Sequence, residues 1–175
     1  MKRLDLMLLA VFLATPAVAQ DRATDESQIY RIVVRALASR VPTTPGLPEG
    51  SVVLDPYVLP QALLPPEDGT PAGRRLPASL LRELVDGRQI AGLCFPAPDF
   101  RCKDVSHGVA IRVTTIRWSG PDQAYAVGQI LGLPSPRQMS LTGAEPIFLG
   151  FALTRRDTGW SVADPIPIRD PRKRG

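Results

Sequence analysis

HGVAIRVTTIRWSGPDQAYAVGQILG, residues 107–132, decides the fold class. Val109, Ile111 and Val113 alternate with smaller or polar residues, the period of a half-buried strand. The apolar parity then moves to Ile116 and Trp118 across Thr114-Thr115. One extra residue in a strand swaps its faces in this way, so the spacing predicts a β-bulge there. SGPD (119–122) reads as a turn, and DQAYAVGQILG returns as a second strand with Tyr125, Val127 and Leu131 on one face. The stretch is therefore an antiparallel hairpin.

Downstream, a connector of about a dozen residues, LPSPRQMSLTGAE, leads to PIFLGFALTRR. There Ile147, Leu149, Phe151 and Leu153 share one face and Gly150, Ala152 and Thr154 the other. RDTG turns the chain into WSVAD, a second hairpin. Upstream, TDESQIYRIVVRALASR reads as a helix, with Thr24 as its N-cap, Asp25 and Glu26 in its first turn, and Pro42 as its stop. Ile29, Val33, Ala36 and Leu37 fall on one face, and Arg31 and Arg35 on a solvated one. A second helix, Ala78 to Asp86, presents Leu80, Leu81, Leu84 and Val85, with Pro77 before it and Gly87 after it.

Between the helices lies a proline-rich segment, 42–77. SVVLD within it is a short strand candidate, but six prolines from Pro56 to Pro77 argue for irregular chain beyond it. Its apolar Tyr57, Val58, Leu59, Leu63 and Leu64 remain available to the core. The expected architecture is one α+β domain: an antiparallel sheet of about four strands from the C-terminal third, with two helices packed on one face. A strand near Val52 or Ile90 is a candidate extension. Expected core residues are Ile29, Val33, Leu37, Leu81, Leu84, Ile111, Val113, Val127, Leu149, Phe151, Leu153, Trp160 and Val162.

The first residues, MKRLDLMLLAVFLATPAVAQ, read as an export signal. Lys2 and Arg3 supply the positive start, Leu6 to Ala14 the apolar stretch, and Ala17 and Ala19 the small residues read by a signal peptidase. Cleavage is expected between Ala19 and Gln20. The apolar run is too short to span ~30 Å of hydrocarbon, so no stable membrane anchor is expected after cleavage. No cysteine lies beside the cut to carry a lipid. The expected organisation is a signal at 1–19, a domain at 20–168 and a basic tail at 169–175. The protein is then expected outside the cytoplasm, periplasmic or extracellular.

That compartment governs the reading of CFPAPDFRC, residues 94–102, which holds both cysteines of the chain. Two cysteines in an oxidising compartment point to one disulfide, Cys94–Cys102. The gap is too long and proline-rich for a CxxC redox pair at a helix start. A structural zinc site needs four ligands, and His107 is the sole histidine. A staple closing about nine residues contributes roughly 2.6 kcal/mol in the chain-entropy model.

Composition excludes more than it assigns. The chain has 21 basic and 17 acidic side chains, a net charge of +4 that singles out no partner. Arginine supplies 18 of the 21 basic residues and asparagine is absent, which fits a GC-rich bacterial coding sequence and leaves no N-glycosylation acceptor. There is no phosphate-binding glycine loop, no HExxH and no GxSxG. Ser106 and His107 adjoin, but neighbouring strand residues face opposite ways, so they make no nucleophile–base pair. Asp99, Asp104 and His107 form the one polar cluster suited to weak ion binding, and read first as a solvated loop edge. No metal or cofactor is expected. Arg172, Lys173 and Arg174 suit weak contact with anionic surfaces. No aromatic residues interleave with the charges, so nucleic acid is not an expected partner.

The ending FALTRRDTGWSVAD resembles the last hairpin of NTF2-like proteins, as does an initial helix followed later by a β-meander. The resemblance implies a curved sheet closing a cone-shaped ligand pocket. The proline-rich middle stands where that family has helices, and no residue role carries over. Two functions follow as expectations. The first is an exported, non-catalytic binding or envelope-accessory protein that engages another protein or envelope component. The alternative is an NTF2-like small-ligand pocket protein or enzyme using Asp104 or His107.

Overall fold

The computed structural model describes residues 15–43, 51–59, 74–94, 108–133 and 146–169. They form an α+β fold of two helices and an eight-stranded sheet. The helices are α1 (Thr15–Arg40), followed by a 3-10 turn at Val41–Thr43, and α2 (Ala78–Asp86). The strands are β1 (Ser51–Leu59), β2 (Gly92–Leu93), β3 (Gly108–Thr114), β4 (Arg117–Trp118), β5 (Gln123–Leu133), β6 (Ile147–Arg156), β7 (Gly159–Val162) and β8 (Ile166–Ile168).

The sheet is mixed, which corrects the expectation of four antiparallel strands. Its order is β2-β1-β3-β5-β6-β7, with β4 on β5 and β8 on β6. β1 runs parallel to both β2 and β3, and the other pairings are antiparallel. Parallel neighbours need a long crossover, and α2 lies in the connection between β1 and β2. The candidate strand at Val52 is thus genuine and extends to Leu59, through Pro56.

Pro56 is accommodated by an irregularity. Leu54 pairs with Ile111 and Val58 with Val113, so four steps along β1 match two along β3. A residue without an N–H fits where the ladder is already interrupted. Its carbonyl accepts the Leu76 N–H at 2.8 Å, while the Asp55 carboxylate accepts the Tyr57 N–H at 3.0 Å.

The bulge read from the parity switch is present. Val113 pairs with Gly128 and Arg117 with Tyr125, four steps on one strand against three on the other. The Thr114 hydroxyl accepts the Val127 N–H at 3.0 Å, and the Thr115 N–H bonds the Leu59 carbonyl at 2.8 Å. The polar pair at the switch therefore replaces the interrupted ladder.

Helix α2 has the expected bounds and buries Leu80, Leu81 and Leu84. Gly87 follows it, but the left-handed residue is Arg88, with φ of 55°. Helix α1 departs from expectation at its start. It begins at Thr15, so Thr24 is an interior residue rather than an N-cap. No proline interrupts the chain between Pro16 and Pro42, and Ala17, Ala19 and Ala23 are strong helix formers.

The main core lies between the helices and one sheet face. Ile29, Val33 and Leu37 of α1 and Leu80, Leu81 and Leu84 of α2 meet Leu54, Val109, Ile111, Val113, Leu149, Phe151 and Leu153. On β5 the expected face is reversed. Ala124, Ala126 and Ile130 face the helices, whereas Val127 clusters with Phe148 and Tyr125 on the opposite side. The reason is proximity: a Cβ built on Gly128 would lie 2.6 Å from both methyls of Leu37. At Gly128 the helix runs too close for any side chain, while Ile130, two residues on, still fits against the core. Val162 is only partly buried, against the rim of the core.

Candidate functional site

Most residues singled out by sequence fall outside the described structure. These are Asp99, Asp104, His107 and Cys102, along with the tail residues 170–175. Ala19 and Gln20 lie within the backbone of α1. Cys94 closes the run after β2, is 8% exposed, and donates its backbone N–H to the Leu54 carbonyl at 2.8 Å. Its neighbours are Val53 and Ala110, on the sheet face away from the helices.

That second face carries a polar group the sequence reading did not select. The Arg112 Nε lies 3.0 Å from the Asp55 carboxylate, with side chains only 14% and 16% exposed. Gln129, buried, pairs with Arg112 across the β3–β5 ladder. Burial holds the Asp55 carboxyl above its usual range, against the opposing pull of the Tyr57 N–H and the Arg112 guanidinium. A charged residue inside the apolar run VAIRVT was the signal for this pair.

Around α1 the charges form a second pattern, and Arg31 and Arg35 are not simply solvated. Arg31 donates to Glu83 of α2 at 2.7 Å, and Arg35 donates to Gln89 at 2.9 Å and approaches Glu83 at 3.5 Å. The hydrogen bond from Arg31 holds the exposed Glu83 carboxyl below its usual range. Arg155 of β6 donates to the buried Asp25 at 3.0 Å, and Arg74 pairs with Glu26. Arg22 stacks over Trp118, 3.7 Å from the ring centre, and Trp118 meets Trp160 edge-on at 5.5 Å. Arg22 and Asp25 thus clamp this part of α1 to β4 and β6, while Arg31 ties it to α2.

Two surface clefts flank that clamp. One of about 300 Å³ is walled by polar groups including Asp21, Asp25, Gln28, Arg155 and Asp157. The other, about 410 Å³, is lined by Glu26, Ser27, Tyr30, Arg74 and Pro77 among others. Burial, then the nearby Glu26, pushes the Tyr30 hydroxyl up to about 12. Each cleft contains one ion pair, Asp25–Arg155 in the first and Glu26–Arg74 in the second. Among the described residues, no group of three or more His, Cys, Asp or Glu could hold a metal ion. No described helix is long and apolar enough to cross a membrane.

No protein-family model matches the chain, and no curated protein matches it in sequence.

Proposed function

We propose that the chain is an exported, non-catalytic binding or envelope-accessory protein, stapled by a Cys94–Cys102 disulfide. It works outside the cytoplasm, periplasmic or released, by presenting its surface to another protein or envelope component. The observation that supports this reading most is the fit of Leu37 into the space above Gly128. An NTF2-like pocket protein needs an opening between helix and curved sheet, and in the described residues that opening is occupied by side chains. The clefts that remain lie at the surface, and in each an ion pair, Asp25–Arg155 or Glu26–Arg74, occupies part of the wall. The basic cluster Arg172, Lys173 and Arg174 adds a weak attraction to anionic surfaces.

The test is to express the full chain in a bacterial host and fractionate it. The expected product leaves with the periplasmic contents, has a mass starting at residue 20, and gains two hydrogens on reduction. A full-length chain retained in the cytoplasm, or a free dithiol in the exported protein, contradicts the reading.

A further inference from the structure

We infer that the mature chain begins with pyroglutamate, formed when the amine of Gln20 closes on its own side chain. The inference rests on the export reading, since only a cut after Ala19 makes Gln20 the first residue. The reaction needs no co-reactant. The amine nitrogen attacks the γ-carboxamide carbon, a new amide bond closes a five-membered lactam, and the side-chain nitrogen leaves as ammonia, taking the amine proton with it. Nothing is oxidised or reduced.

The path of α1 favours this chemistry. The helix runs unbroken from Thr15 to Arg40, so in the uncut chain the N–H groups of its interior turns point at carbonyls four residues earlier. A cut after residue 19 removes the acceptors of positions 20–23. The new amine is then an orphan group at the positive end of a helix. A positive charge is disfavoured there, which lowers the proton affinity of the amine and enriches its neutral, nucleophilic form. The lactam is uncharged and shaped like proline, a ring that the first turn of a helix accepts.

The helix end that receives this group is held in place. Arg22 sits on Trp118, and Asp25 accepts from Arg155, so the first mature turn remains attached to the sheet. Asp21 through Thr24 are nonetheless exposed, which leaves room for a ring beside them.

The experiment uses the full chain, exported from a bacterial host and incubated at neutral pH. It reads the intact mass and the accessibility of the terminus to Edman sequencing, before and after pyroglutamate aminopeptidase. The expected mass starts at residue 20 and is short by one ammonia, with sequencing blocked until the lactam is removed. A Gln20→Ala variant is expected to keep its full mass and an open terminus. A chain starting at Gln20 with full mass and an open amine overturns the lactam and leaves the export reading standing. An uncut chain, or one cut elsewhere, overturns both. Ammonia loss that persists in Gln20→Ala places the loss at another residue and also overturns the inference.

Discussion

Gly128→Val is expected to destabilise the protein by about 3 kcal/mol, the upper part of the range for overpacking a core. Two effects oppose each other at this position. Valine suits a strand better than glycine, by up to about 1 kcal/mol. Against that, its Cβ would lie 2.6 Å from both Leu37 methyls and 2.9 Å from their branch carbon. Leu37 is fully buried, so it has no open rotamer into which to retreat. The clash therefore outweighs the propensity. Leu37→Ala alone is expected to cost about 2–5 kcal/mol through the cavity it opens. Together the two substitutions are expected to cost less than their sum by about 1–3 kcal/mol, because the valine fills space the leucine leaves. Equilibrium urea unfolding of the wild type, both single variants and the pair measures this cycle. A stable Gly128→Val protein, or strict additivity, would show that α1 does not press on β5 as described.

The second large effect is expected at Asp55. Asp55→Ala removes a carboxylate partner of the poorly exposed Arg112 and the acceptor of the Tyr57 N–H where β1 passes Pro56. Breaking a buried ion pair from one side costs about 3–5 kcal/mol, and the residual exposure of both groups places this case near 3 kcal/mol. Asp55→Asn tests the pH dependence. The Asp55 carboxyl is raised in the folded protein, so the folded state binds its proton more tightly than the unfolded state. Its contribution to stability is fully present below the ordinary carboxylate pKa, and is lost as pH rises through the folded value. Unfolding free energies measured from pH 3 upward are expected to show a falling component in the wild type that Asp55→Asn lacks. Identical pH profiles for the two proteins would contradict the burial of this carboxyl.

What the sequence disclosed and concealed follows from which signals are local. The β3–β5 hairpin and its bulge were legible because a parity switch records one extra residue directly. Helix α2 was legible because Pro77 and Gly87 bracket one amphipathic stripe. The length of β1 was concealed by its own proline, which reads as a strand breaker. Pro56 is harmless only because its pairing with β3 is irregular, a fact set by a strand more than 50 residues away. The inward face of β5 is not legible locally, because the large residues Tyr125, Val127 and Leu131 mark the opposite face as core. Helix contact selected Ala124, Ala126 and Gly128 instead, and local pattern does not encode that distance.

The same distinction applies to the polar groups. Arg31 and Arg35 share a helix face at a spacing that looks solvated, and only the docking of α2 turns them into bridges to Glu83 and Gln89. Asp55 and Arg112 are 57 positions apart and meet through a parallel pairing the sequence reading did not anticipate. The arginine within VAIRVT was visible; its partner was not.

The most direct test of the proposed binding module with a filled interior is the mass of the protein under native and then denaturing conditions. Equal masses for the protein chain in the two states are expected, because side chains occupy the space between α1 and the sheet. A small molecule or metal ion present in the native species and lost on denaturation would contradict the account and place a ligand pocket at its centre.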